Sequence, residues 1–251
     1  MNDLKTILSK LDPITLKEMD SVSLMNRTDT KYIFRIEQLP SFIEEIANDY
    51  KILDVDGNRI NSYETLYYDT ADFQMYIHHQ NGKANRYKVR FRKYIESELN
   101  FFEIKFKNNK GKTFKQRIKL KEENTQIIEK AETFLHEKTF YKSEELYPKL
   151  WANYSRITLV NKIFPERLTI DINLQFKNES GQKKLPNIVI AELKQPKRTN
   201  TSFVEVMKKH RIRTSSISKY CFGVIFLVEN IKMNNFKQKL LNLNKINYDS
   251  L

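Results

Sequence analysis

In Arg86-Tyr87-Lys88-Val89-Arg90-Phe91-Arg92 a cation stands at every second position. A β-strand alternates its side chains between two faces, so it would put all four cations on one side and the three apolar residues on the other. Phe102-Glu103-Ile104-Lys105-Phe106-Lys107 repeats the pattern, and Phe114-Lys115-Gln116-Arg117-Ile118-Lys119-Leu120 repeats it again beyond Gly111. Later, Tyr154, Arg156 and Thr158 alternate with Ser155, Ile157 and Leu159, and Arg167, Thr169 and Asp171 with Leu168, Ile170 and Ile172; Glu192 and Lys194 alternate with Ala191 and Leu193. Any one such strand suits an antiparallel sheet with a wet charged side and an apolar side packed on helices. The repetition points further: these faces bring Lys or Arg to matching places again and again, and Glu103 and Glu192 are the two glutamates among them. Like charges on adjacent strands repel, so the arrangement calls for an anion. If the sheet closes, the side chains converge on a tunnel, and a chain of phosphates is the anion that would need so many donors.

The elements that would hold these strands are legible in part. Leu4, Ile7, Leu8 and Leu11 recur at helical spacing until Pro13 interrupts them, and a second short helix is expected over Ile14 to Met19. A helix over Glu37 to Asp49 would bury Leu39, Phe42, Ile43 and Ile46; another over Asn124 to Glu137 would bury Ile127, Ile128, Ala131, Phe134 and Leu135. Gly82, Gly111 and Gly181 stand beside Asn, Lys or Ser, as in hairpin loops. The Lys/Asn-rich end, Ile231 to Leu251, reads as a fraying helix.

At 251 residues, with 40% hydrophobic and 12% aromatic content, the chain can bury a large core and is expected to form one domain. Its 44 Lys+Arg against 31 Asp+Glu leave a formal charge of +13, which suits an anionic partner without choosing among polyphosphate, nucleotide, nucleic acid and an acidic membrane. The lone Cys221 excludes an intramolecular disulfide and a cysteine zinc cluster; between Tyr220 and Phe222 it reads as a buried filler, and a reducing, cytoplasmic location is expected. The start of the sequence has no signal-peptide pattern, and the longest apolar stretch, Cys221 to Val228, is far short of a membrane span.

Taken in order, Arg27-Thr28-Asp29-Thr30-Lys31-Tyr32, Thr65-Leu66-Tyr67-Tyr68-Asp69-Thr70, the Lys88/Arg90/Arg92 stripe, Glu103-Ile104-Lys105, Tyr154-Ser155-Arg156, Arg167-Leu168-Thr169-Ile170-Asp171, Glu192-Leu193-Lys194 and Ser218-Lys219-Tyr220 resemble the VTC domain. This is the polyphosphate polymerase branch of the triphosphate tunnel, or CYTH-like, superfamily, and the resemblance runs from about Asn26 to Gly223. It implies an α+β fold, a closed antiparallel β-barrel (the triphosphate tunnel) of about eight strands with helices packed outside. One such domain would occupy residues 1–251, with its core at 22–228 and a C-terminal tail at 229–251. The resemblance further implies phosphate ligands at Lys31, Arg90, Arg92, Lys105, Arg156 and Arg167, with Lys115 or Arg117 on the next strand; a metal-binding glutamate at Glu192; and the family's Ser-Lys pair at Ser218 and Lys219. Two departures stand out. The superfamily opens with Glu-x-Glu-x-Lys, and here those places hold Arg27, Asp29 and Lys31, which weakens a two-metal triphosphatase and suits a basic transferase tunnel. Where eukaryotic members carry a lysine before the Ser-Lys pair this chain has Ser216, and their tunnel arginine falls near His79, read here as a loop histidine.

The expected activity is therefore an ATP-dependent polyphosphate polymerase that passes the γ-phosphate of ATP to a growing chain. Lys31, Arg90, Arg92, Arg156 and Arg167 form the expected catalytic set; Lys88, Lys105, Lys115, Arg117, Lys194, Ser218 and Lys219 complete the phosphate grip. Glu192 and Glu103 would hold Mn²⁺ or Mg²⁺, hard ions that take oxygen ligands, unless each pairs with a Lys or Arg of the wall. Tyr154 is expected to pack near the phosphates and Tyr68 and Trp151 in the core. A tripolyphosphatase or nucleoside triphosphatase, and a non-catalytic polyphosphate-binding module with a membrane partner, are the rival readings. Nucleic acid is disfavoured, because the cations lie on alternating strand faces without exposed aromatic interleaving.

Overall fold

Each charged stripe is a strand in the computed structural model, which describes residues 2–21, 27–122 and 125–248. The chain begins with α1 (Asn2–Ser9), β1 (Asp12–Ile14), α2 (Leu16–Ser21), β2 (Thr28–Arg35), α3 (Leu39–Ile46), β3 (Tyr50–Leu53), β4 (Asn61–Asp69) and α4 (Gln74–Gln80). The three central stripes follow as β5 (Arg86–Tyr94), β6 (Leu99–Lys107) and β7 (Thr113–Leu120), then α5 (Glu129–Lys138). The second half holds β8 (Tyr147–Asn161), β9 (Arg167–Asn178), β10 (Gly181–Leu185), β11 (Ile188–Gln195), α6 (Ser202–Lys209), β12 (Thr214–Ser215), α7 (Lys219–Leu227) and α8 (Lys237–Tyr248). Residues 22–26, where the expected core begins, and Asn124, where a helix was expected to start, lie outside the described residues.

The sheet corrects the expectation of a closed barrel. It has 12 strands in the order β12-β2-β11-β9-β8-β4-β5-β6-β7, with β10 added to β9, β3 to β8 and β1 to β3, and its two ends do not pair. Closure would require β7 and β12 to exchange a ladder, but β12 is two residues long and β7 is an exposed strand dense in Lys and Arg, the charge pattern that keeps an edge unpaired. Eight strands, β2, β4 to β9 and β11, have at least eight residues. The other four have two to five, too short for alternation to reveal. The sheet nevertheless curls: the start of α7 meets β5 through Ser218 and Lys88 and β9 through Lys219 and Asp171. The result is a trough, not a tube.

Alternation sorts the two faces. On the convex side Tyr32, Phe34, Ile157, Leu159, Leu168, Ile170, Ala191 and Leu193 pack under α1, α3 and α6. Leu66, Tyr68, Val89, Phe91, Phe102 and Ile104 pack with Ala131 and Leu135 of α5, and Trp151 lies partly buried against them. In α1 the predicted stripe Leu4, Ile7, Leu8 and Leu11 is buried, as is Leu39, Phe42, Ile43 and Ile46 in α3, whose Pro40 sits in the first turn where its missing N–H costs nothing. Two helix boundaries move. Ile14 ends β1, so α2 starts at Leu16; α5 starts at Glu129, leaving Ile128 42% exposed. Gly111 and Gly181 sit in the β6–β7 and β9–β10 hairpins, but Gly82 follows α4, a helix the sequence did not announce.

One half of the concave face is apolar and is stoppered by α7 and α8. Tyr220, Cys221, Phe222 and Val224 of α7, with Phe236 and Leu243, pack on Tyr67, Leu150, Ala152, Leu174, Phe176 and Ile190. Gly223 permits this approach, since a Cβ there would lie 2.7 Å from Phe176 Cδ1 and inside the Leu150 side chain. Cys221 is the buried filler expected of it. The C-terminal segment is no loose tail: α8 lies against β2 and β11. Among the described residues no helix is long and apolar enough to cross a membrane.

Candidate functional site

The other half of the concave face is charged, and strand register decides who meets whom. Lys88 stands opposite Lys105 and Lys105 opposite Lys115; Arg90 faces Glu103 and Glu103 faces Arg117. Across the trough Glu192 faces Lys31, Lys194 faces Asp29, and Arg156 faces Asp171. The ten strand-borne Lys and Arg residues expected to grip phosphate thus share one face, which Lys219 reaches from α7, opposed by Asp29, Glu103, Asp171 and Glu192.

These carboxylates organise the cations into separate clusters. Glu103, 1% exposed, takes Arg90 Nε at 2.6 Å, Lys115 Nζ at 2.5 Å and Arg92 Nη1 at 3.8 Å. Burial alone would raise its pKa, but the charges of Arg90, Arg92 and Lys115 hold it far below the usual carboxylate range. Asp171 is clasped bidentately by Arg156, Nε at 2.6 Å and Nη2 at 2.9 Å, and also receives the Lys219 ammonium. Its pKa too is driven down, against burial, by Arg156 and Lys219. Glu192 joins Lys31 through one oxygen and Lys194, at 2.9 Å, through the other. Burial, with the charges of Lys194 and Lys219, lowers Lys31 to about 7. Lys194 falls to about 7 by burial and then by Arg156.

Lys105 is different. Among the described residues it has no ion-pair or hydrogen-bond partner and its side chain reaches solvent, while partial desolvation by the trough walls, then the charges of Lys88 and Arg90, lower it to about 8. Arg117 is also without a carboxylate contact and lies over the Phe101 ring at 4.2 Å. At the start of α7 the Ser218 hydroxyl caps the helix by accepting from Cys221 N at 3.3 Å and receives Lys88 Nζ at 2.7 Å, so the Ser-Lys pair meets the β5 stripe. Arg167 holds the far end of the face, where a guanidinium nitrogen donates to the Met19 carbonyl at 3.1 Å.

Several partners were not singled out from the sequence. Tyr67 OH accepts from Arg90 Nη1 at 3.3 Å and Thr65 Oγ1 from Arg92 Nε at 3.3 Å. The Tyr63 ring lies under Arg156 at 5.0 Å and stacks on Tyr154 at 5.2 Å, which places Tyr154 beside the cations. Tyr63, Thr65 and Tyr67 alternate along β4, so strand parity was the available signal. His79 is on α4 rather than in a loop; its Nδ1 lies 3.1 Å from Cys221 Sγ, and burial, then Lys88, depress its pKa. Asp69, 0% exposed, accepts from Met75 N at 2.8 Å, Tyr76 N at 2.9 Å and the Tyr220 hydroxyl, tying α4 to α7.

A divalent cation fits one expected ligand and not the other. Glu103 is sealed by three cations and has no face to offer a metal. Glu192, 20% exposed and held by one lysine on each oxygen, can supply a carboxylate oxygen to a hard ion whose other ligands are phosphate oxygens. The cluster of three metal-competent groups found among the described residues, Glu132, His136 and Glu144, belongs to α5 and the turn after it.

The VTC domain family matches residues 26–228. Among solved structures, a candidate adenylate cyclase from Vibrio parahaemolyticus is 10% identical, with 77% of this chain and 96% of that chain covered and a TM-score of 0.46. One from Bacillus halodurans is 13% identical, with 77% and 96% covered and a TM-score of 0.45. A Hippeastrum adenylyl cyclase candidate, described as revealing a dominant triphosphatase activity, is 11% identical, with 82% and 99% covered and a TM-score of 0.46. No curated protein matches the chain.

Proposed function

This chain belongs to the VTC domain family, and we propose that it is an ATP-dependent polyphosphate polymerase acting in the basic trough. The observation that carries the reading is the gathering of ten cations on one sheet face, with Lys219 reaching it from α7 and four carboxylates against them, an excess that a bound phosphate chain would neutralise. Phosphoryl transfer asks a protein mainly to position the reactants and to offset spreading negative charge. Arg90, Arg92 and Arg156, fixed by Glu103 and Asp171, form rigid walls, whereas Lys31, Lys88, Lys105, Lys194 and Lys219 can swing onto phosphate oxygens. The triphosphate of ATP lies along these groups, the terminal phosphate of the acceptor chain attacks the γ-phosphorus, and ADP leaves. Mn²⁺ or Mg²⁺ at Glu192 would add charge neutralisation at the phosphates. No activated protein nucleophile is needed. The lone, buried Cys221 supports a reducing compartment, which we take to be the cytoplasm.

Incubation of the pure protein with ATP and Mn²⁺, resolved on a gel, tests this: a ladder of long phosphate chains is expected. Free phosphate without chains would make the protein a hydrolase, and tight binding without turnover a binding module.

A further inference from the structure

Outside the trough, a cavity of about 360 Å³ lies where α8 covers the β2–β12 edge. Its floor is apolar, built from Ile33, Phe222, Leu243 and Ile246, while Arg35, Arg211, Arg213 and Lys239 supply its charge and, among the described residues, no carboxylate lines it. Among the described residues Arg211, Arg213 and Lys239 have no carboxylate partner; Lys239 lies over the Phe236 ring at 5.6 Å. A cleft carrying one sign of charge over low-dielectric walls focuses its field and concentrates counter-ions. One strand pair links the cavity to the trough. Ser215, part of its lining, stands opposite Lys31 across the β12–β2 ladder, and Arg213 is two residues further along the same strand and loop.

We propose that this groove binds the part of a phosphate chain that extends past the trough, so that the protein holds long chains by Arg211, Arg213 and Lys239 in addition to its trough cations. This rests on the proposed function for the identity of the anion. A linear polyanion suits the site better than a compact one, because the cations come from two separate segments, the 211–213 turn and α8, and the lining includes Ser215, the ladder partner of Lys31. The groove thereby supplies a preference for chain length that a triphosphate-sized trough lacks.

The test compares affinities for tripolyphosphate and for polyphosphate of about a hundred units, without metal, in the parent and in a variant combining Arg211→Ala, Arg213→Ala and Lys239→Ala. A control variant replaces Lys5, Lys10 and Lys17, exposed near the N-terminus, with Ala and carries the same change in net charge. Long-chain affinity is expected to fall by about tenfold or more in the groove variant while tripolyphosphate affinity stays within about twofold, and the control should change neither by more than about twofold. Long-chain binding that falls no further than in the control overturns the groove. Should the parent ignore tripolyphosphate yet bind long chains in a groove-dependent way, the trough reading fails and the groove stands. No binding of either ligand by the parent overturns both.

Discussion

Glu103 and Glu192 both sit on charged strands of one trough, in stretches of the same Glu-x-Lys pattern, yet they have become different objects. Around Glu103 two arginines and a lysine close over a carboxylate that is 1% exposed, and the cluster is a strut of the β5–β7 wall. Around Glu192 two lysines, one on each oxygen, hold a carboxylate that is 20% exposed, and either can be drawn away by an arriving anion. Identical local sequence does not make identical sites: the neighbouring strands decide whether a charge is locked or available.

The largest separation should appear in turnover. Glu192→Gln keeps shape but loses the charge a hard cation needs, so ATP consumption with Mn²⁺ should drop about a hundredfold or more while tripolyphosphate affinity without metal is kept or improved. Parent-rate consumption would reduce Glu192 to a clasp for two lysines. Its unfolding free energy should fall by less than that of the Glu103 variant, because these pairs are only partly buried.

Stability should show the reverse ranking. Glu103→Gln leaves Arg90, Arg92 and Lys115 crowded without their counter-charge, and a loss of about 3–5 kcal/mol is expected in urea unfolding. An unchanged midpoint would mean that water screens the cluster and that the contrast with Glu192 is false. For the same reason Arg92→Ala should destabilise the protein rather than relieve repulsion.

Lys105 tests the unpaired class. With no carboxylate to abandon, Lys105→Ala should weaken tripolyphosphate binding about tenfold, with the melting temperature unchanged or slightly raised. A fall in melting temperature without loss of binding would make Lys105 a structural residue.

The smallest effect is a pH dependence. Lys31, Lys115 and Lys194 at about 7 and Lys105 at about 8 grip anions only when protonated, so tripolyphosphate affinity should decline several-fold from pH 6 to 9, with proton uptake on binding near pH 8 by calorimetry in two buffers. The ligand-free protein runs the other way. Below about 7 these lysines are charged in both states; between that value and 10.5 the folded form sheds protons that the unfolded chain keeps, so stability from this source should rise with pH. A flat profile in both measurements would mean that the trough depresses none of these lysines.

Alternation determined most of what was read correctly from the chain. A period of two needs no tertiary information, so six of the long strands, β5 to β9 and β11, with their charged and apolar faces, were visible in the residues, as was the α3 stripe at its helical period, while β2 and β4 were marked only by the family resemblance. The four short strands were not, because two to five residues carry no periodicity, nor was α4, whose first turn is capped from within the sheet by Asp69. Tertiary structure alone settled the rest. Whether the sheet closed depended on its two end strands, and the mismatch of a two-residue β12 with a charge-lined β7 left it open. Which carboxylate was sealed and which stayed accessible depended on the register of strands distant in sequence, because electrostatic environment is set by neighbours in space and the alternation along a single strand is blind to them.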